Sequence, residues 1–280
     1  MMDSFLMIGQ SNMAGRGFLK DVPRIFDTQI KMQRNGLWQT MWEPINPDRP
    51  FSGIGLCASF AALWRRAHAD KEIGLIPCAE GGSSLEDWKV GGPLFEHAVF
   101  LAKLAQQSSK ITGILWHQGE NDCFGDLAAI YKDRFGEIID ALRNVLGLPK
   151  VPLIIGGLGD FLPSGRYGAF FGGYPLVNQA LLEYATQTPD CYFVSAEDLT
   201  ANPDGLHFDA ISLRRLGVRY FEAFDQHTHV LKALEDETEK LEAIYRRPLT
   251  KMEQSTLLEY RFAFGDMTLQ ELEAEQVKLK

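Results

Sequence analysis

Apolar positions along the chain gather into short, nearly unbroken runs. Phe5–Ile8, Ile73–Pro77, Ile111–Trp116, Val151–Ile155 and Cys191–Val194 are bounded by Gly, Pro or polar residues. Runs of this kind read as strands buried on both faces. Between them the period changes. Gly53–Ala69 carries Leu56, Phe60, Leu63 and Trp64 at helical spacing, and Pro93–Gln107 carries Phe95, Val99, Ala102 and Leu104. Asp126–Leu146 reads as one long amphipathic helix and Pro175–Thr186 as a shorter one. Five strands alternating with helices predict a parallel, doubly wound sheet in a three-layer α/β/α fold, with right-handed crossovers. Arg16–Pro50, rich in turn formers and aromatics, reads as a long excursion over the ligand-binding edge of that sheet.

The pattern shifts after about Phe224. Residues 230–280 are charged, nearly free of Gly and helical by period, so the chain divides into a domain over 1–229 and a helical extension over 230–280. Val230, Leu231, Leu234, Leu241, Ile244 and Tyr245 predict a helix with one apolar face, ended by Pro248. Thr250 with Glu253 and Thr268 with Glu271 fit capping boxes, and Met267 with Leu272 fits a hydrophobic staple. An apolar stripe on a short helix needs a cover. It either packs back on the α/β domain or builds a homo-oligomer.

Composition narrows the partners. The chain has 280 residues, 45% of them hydrophobic, which suffices for one large α/β core. A net charge of −9 without a basic run argues against nucleic acid. No apolar run approaches membrane-spanning length. Met1-Met2-Asp3 leads straight into the first strand, leaving no room for a signal core, so the expectation is a soluble, cytoplasmic protein. Cys57, Cys78, Cys123 and Cys191 are scattered without a CxxC pair, and no metal site is expected.

The candidate chemistry starts at Gly9-Gln10-Ser11-Asn12-Met13-Ala14-Gly15, a small turn that places Ser11 just past the carboxyl end of the first strand. A serine there is a nucleophile if a histidine and an orienting carboxylate reach it. Asp204-Gly205-Leu206-His207-Phe208-Asp209 offers both. His207 would be the general base, with Asp204 aimed at its far ring nitrogen by one tight turn, or else Asp209 in that role. Met13 replaces the second Gly of G-x-S-x-G, so the α/β-hydrolase elbow is not matched.

GQSNMAG, EGGSSLEDW, WHQGEND and DGLHF occur in that order between residues 5 and about 210. In this the chain resembles SGNH-type (GDSL-like) hydrolases, in the branch of sialate O-acetylesterase-like and acetylxylan esterase-like proteins. The resemblance implies a flavodoxin-like sheet and a serine esterase that takes acetyl or another short acyl group off a small sugar-like substrate. No metal or cofactor is implied. It also implies an oxyanion site built from the Ser11 backbone, the Gly81-Gly82 turn and the Gln118 amide, with Asn121 as the alternative to Gln118. The wider superfamily carries Asn where this chain has Gln118. Gln10 and Glu120 belong to the same motifs as further oxyanion or substrate contacts, and Glu120 with Asp122 can instead order the loop. Trp38, Trp42, Tyr167 and Phe171 are candidates for stacking on a sugar ring or for capping the core. Two other outcomes are open to the same motifs: a carbohydrate-binding module without activity, and a transacylase.

Overall fold

The structure, a computed structural model, describes residues 1–279. Strand β1 (Met2–Gly9) occupies the middle of the sheet because both of its faces are apolar. Phe5 and Met7 enter one core layer, and Leu6 and Ile8 enter the other. After it come α1 (Ser11–Ala14), β2 (Ile30–Arg34), β3 (Leu37–Thr40), α2 (Cys57–Ala67) and β4 (Ile73–Pro77). Then follow α3 (Pro93–Gln106), β5 (Ser109–His117), α4 (Tyr131–Leu146), β6 (Leu153–Gly156), α5 (Tyr174–Gln187) and β7 (Cys191–Val194). The chain closes with α6 (Ala210–Gln226), α7 (Glu237–Tyr245), α8 (Lys251–Ala263) and α9 (Leu269–Leu279). Helices α2, α6 and α7 pack together on one face, and α3, α4 and α5 adjoin one another on the other, giving three layers.

The sheet has seven strands in the order β3-β2-β4-β1-β5-β6-β7, not five. The two extra strands come from the supposed excursion. Ile30 and Met32 are buried, and β2 adds in parallel to β4 through Ile30↔Ile73 and Met32↔Leu75. β3 then turns back antiparallel on β2. The turn is Asn35-Gly36 with φ of 51° and 77°, the paired positive values of a tight hairpin. Two helix boundaries also move. The expected helix from Asp126 opens as a 3₁₀ turn over Gly125–Ile130 before α4, and the one from Gly53 begins only at Cys57.

Three helices follow in the tail, as the pattern predicts, but the first is shorter than expected. Val230 pairs with β7, accepting from Ser195 N at 2.7 Å and donating to Phe193 O at 2.9 Å, so the sheet edge satisfies its backbone. The helix starts only at Glu237, and Leu231 is left exposed. Leu241 and Ile244 join the α2/α6 core. Two buried carboxylates fasten the tail further. Glu237 accepts from Arg215 Nε and Arg219 Nε, each at 2.5 Å. Glu253 accepts from Thr28 N, Thr250 N and Arg247, each at 2.9 Å. The Thr250–Glu253 capping box is present, and Thr268 and Glu271 exchange the same pair of bonds. Among the described residues no helix is long and apolar enough to cross a membrane.

Candidate active site

β1 ends at the carboxyl edge of the sheet, and the turn after it is held from below. Gln10 N donates to His117 O at 2.9 Å, and its carbonyl accepts from Met13 and Ala14. Ser11 thus opens the single helical turn of α1. The segment 202–208 comes alongside through Asn202, whose N–H donates to His207 O and whose Nδ2 donates to Arg16 O at 2.8 Å. His207 Nε2 lies 3.0 Å from Ser11 Oγ, and His207 Nδ1 lies 2.8 Å from Asp204 Oδ2. A carboxylate only accepts, so Nδ1 carries the proton and Nε2 turns its lone pair to the serine hydroxyl. The other oxygen, Asp204 Oδ1, accepts from the backbone of Leu206 at 2.9 Å and of His207 at 3.0 Å, which fixes the turn. Burial pushes the Asp204 carboxyl up, but the His207 ring and these N–H groups outweigh it and bring it down to about 2. Asp209 is elsewhere: it caps α6, accepting from Ser212 N at 2.7 Å and Thr200 Oγ1 at 2.5 Å.

The expected oxyanion donors fare differently. Gly81 N–H donates to Asp48 Oδ2 at 2.8 Å and is already spent. A Cβ on Gly81 would lie 2.4 Å from Arg16 Nη2 and 2.7 Å from Asp48 Oδ2, so this glycine makes room for a buried ion pair. Gly82, with φ of +79°, has only open space where a side chain would stand, and its N–H has no partner among the described residues. The Ser11 N–H is likewise unpaired among the described residues. Gln118 is fully buried, and both of its amide hydrogens are taken, by Ser83 O at 3.1 Å and Asp122 Oδ2 at 2.5 Å. Its Oε1 accepts from Tyr131 Oη at 2.8 Å. Gln118 therefore does not present its amide to the cleft as expected. Asn121 lies at the surface, and its Nδ2 donates to Gly82 O.

Gln10 and Glu120 also face inward. Gln10 Oε1 accepts from Gly119 N at 3.2 Å, and Glu120 accepts from Asn12 Nδ2 at 2.5 Å. Both are at most 2% exposed, so neither reaches a substrate directly. Burial raises the Glu120 carboxyl above its ordinary range, with the Asn12 hydrogen bond opposing. Its neighbour His117 is fully buried and is pushed down to about 3 by desolvation.

Three residues of the site have no role that the sequence alone assigns. Asn12 Oδ1 accepts from Phe208 N at 3.1 Å, so one side chain ties the Ser11 turn to the His207 turn and to Glu120. Its place directly after Ser11 in the motif was the available signal. Arg16 and Asp48 form a two-pronged pair at 3.0 and 2.6 Å that joins the Ser11 turn to the Gly81 loop; nothing in the spacing announced it. The proposed aromatics divide. Trp38 donates to Ser108 Oγ at the opposite end of β5, Trp42 stacks on Tyr260 in the tail, and Phe171 is buried in the core. Tyr167 alone stays exposed, on a loop whose Gly165 abuts Gly205. A cleft of about 650 Å³ opens beside His207 and Asp204, walled by Phe18, Leu19, Pro50 and Phe51.

Residues 1–226 match the family described as carbohydrate esterase, sialic acid-specific acetylesterase. A probable carbohydrate esterase of Arabidopsis thaliana is 31% identical over 247 residues, covering 79% of this chain and 89% of its own length. The crystal structure of the Arabidopsis protein superposes with a TM-score of 0.73 at 27% identity, over 80% of this chain and 98% of that one. NanS shares the fold at a TM-score of 0.65 and 19% identity, over 81% of this chain and 97% of that one. A carbohydrate acetylesterase from Xanthomonas citri does so at 0.60 and 20%, over 80% of this chain and 56% of that one. The chain belongs to the carbohydrate esterase, sialic acid-specific acetylesterase family, and is a carboxylic ester hydrolase of acetylated carbohydrates.

Proposed function

We propose that the chain hydrolyses an acetyl ester on a sugar hydroxyl through an acyl-enzyme on Ser11. The observation that carries this is the continuous hydrogen-bonded relay from Ser11 through His207 to Asp204 at the mouth of the cleft. His207 Nε2 takes the Ser11 Oγ proton as Oγ bonds to the carbonyl carbon, and the carbonyl π electrons move onto oxygen. The unpaired N–H groups of Ser11 and Gly82 are the donors assigned to that oxyanion, since no other group among the described residues already holds them. As the oxyanion collapses, the C–O bond to the sugar breaks and His207 returns its proton to the leaving alkoxide. Water then attacks the acyl carbon with His207 again as base, releasing acetate and restoring the serine. Asp204 stays ionised and holds the imidazole in the required tautomer. The sugar would lie in the cleft walled by Phe18 and Phe51, whose exposed rings offer stacking surface.

An acetate-release screen over acetylated xylo-oligosaccharides and O-acetyl sialic acids, with peptide mapping of an organophosphonate adduct, tests this. Turnover of one sugar class and labelling at Ser11 are expected. An adduct on another residue would overturn the assignment.

A further inference from the structure

A second cleft lies between the esterase domain and the tail, with a volume of about 330 Å³. Its walls come from residues 24–27, the end of α2 and residues 244–257, and none of them lines the cleft beside His207. Four arginines reach it (Arg24, Arg65, Arg66 and Arg247), against one carboxylate, Asp27. Two of these cations are matched. Arg65 Nε lies 3.5 Å from Asp27, and Arg247 is bonded to Glu253 at 2.9 Å. The other two are not. Among the described residues Arg66 donates only to the neutral carbonyl of Ala243, at 3.2 Å. Arg24 has no hydrogen-bond acceptor among the described residues. Its guanidinium lies 3.7 Å from the centre of the Trp42 ring and 5.4 Å from that of Tyr260. Desolvation on that stack lowers its pKa; Tyr260 and Glu43 oppose the shift, and Arg214 adds to it.

Two guanidiniums with no carboxylate bonded to them among the described residues, on a chain of net charge −9, are a local exception to its electrostatics. Arg24 is also held by its ring partners, so less conformational freedom is lost when it binds. A planar guanidinium offers paired N–H groups that match phosphate oxygens. The rest of the wall is apolar or aromatic, Phe26 and Tyr245 included. We propose that this cleft binds a small phosphate monoester with a ring-shaped or apolar body, the phosphate held by Arg24 and Arg66. The cavity sits at the small end of the range for such ligands. Because the walls come from both domain and tail, the ligand stabilises their docking. The site does not depend on the Ser11 chemistry.

Phenyl phosphate is the probe, titrated calorimetrically into the full-length protein, with Trp42 fluorescence as a second readout. Inorganic phosphate, phenol and benzoate are the comparison arms. Phenyl phosphate should bind best, raise the melting temperature and perturb Trp42 fluorescence. Arg24→Gln and Arg66→Gln should each weaken it by about tenfold or more, the loss of one charge-assisted contact. Both variants should keep wild-type acetyl-ester hydrolysis, which shows them folded. No binding at millimolar phenyl phosphate would overturn the site. Unchanged affinity in both variants would overturn its assignment to these arginines. Benzoate binding more tightly than phenyl phosphate would overturn the phosphate class.

Discussion

Two histidine–carboxylate couples flank the turn that bears Ser11, one in front of it and one behind. Asp204 and His207 stand 2.8 Å apart at the rim of the cleft, the carboxylate half exposed and bonded by two further N–H groups. His117 and Glu120 stand 3.9 Å apart with essentially no exposure. Tyr220 gives its hydroxyl proton to Trp116 O at 2.7 Å, so it accepts from His117 Nδ1 at 3.2 Å. That leaves His117 Nε2 bare and unpartnered, as Glu120 Oε2 also is. The same pairing of imidazole with carboxylate thus reaches opposite states. In front, hydrogen bonds outweigh burial and keep the carboxylate charged; behind, burial wins and favours both neutral forms. A relay needs a charged partner that can steady an imidazolium, and only the front couple has one. The rear couple is a support: Glu120 holds Asn12, and Asn12 holds both turns.

The sharpest way to break this contrast is to remove each imidazole. His207→Ala should lower kcat by about 10⁶, the usual cost of losing a base from such a relay. His117→Gln, measured per folded molecule, should stay within about tenfold of wild type. Equal losses would erase the distinction.

The carboxylates come next. Asp204→Asn should cost about 10⁴ in kcat, since an amide can favour the wrong imidazole tautomer. Glu120→Gln should cost less than about tenfold, because the amide resembles the neutral acid that burial favours and can still accept from Asn12. Steady-state kinetics on one acetyl ester decides both.

Acidity separates the couples through stability. His117 is lowered to about 3 in the folded chain, so between there and its ordinary value the unfolded chain binds the extra proton. Stability therefore falls as pH drops through that window. From pH 7 to 5 this amounts to roughly 2 kcal/mol, and His117→Gln should remove that part of the pH dependence in denaturant titrations. Asp204, also lowered, loses its contribution only further down, from the ordinary carboxylate range towards about 2. Glu120 has the opposite sign: its raised carboxyl weakens folding as pH rises.

The smallest effect is expected at Gln118. With both amide hydrogens spent on Ser83 and Asp122, Gln118→Ala should lower kcat by about tenfold or less, not the 10²- to 10³-fold of a lost oxyanion donor. A loss in the larger range would return Gln118 to the oxyanion site.

The central strands were legible because β1 and β4–β7 are buried on both faces, and burial writes itself as continuous apolar runs. β2 and β3 were not, because they alternate or lie half exposed and sit inside a turn-rich stretch. Yet Asn35-Gly36 was a readable hairpin signal that the aromatics around it obscured. At the site, the sequence named His207 and Asp204, which the structure brings to Ser11, but not the Arg16–Asp48 pair beside them. It could not say which amide was free. That depends on what else a group touches: Gly81 on Asp48, Gln118 on Asp122, both set by tertiary packing. The tail misled for the same reason, because Val230 found a sheet edge in place of a helix turn.

The central place of β1 bears on how the chain is made. It is made before either of its partners, β4 at residues 73–77 and β5 at residues 109–117. Until those arrive, an apolar segment waits unpaired, exposed to aggregation and to chaperones. The base that meets the proposed nucleophile lies 196 positions after it in the chain. Ester hydrolysis during translation or refolding would then time the final closure of the domain, and a chain stopped before His207 would be silent however much of its sheet had formed.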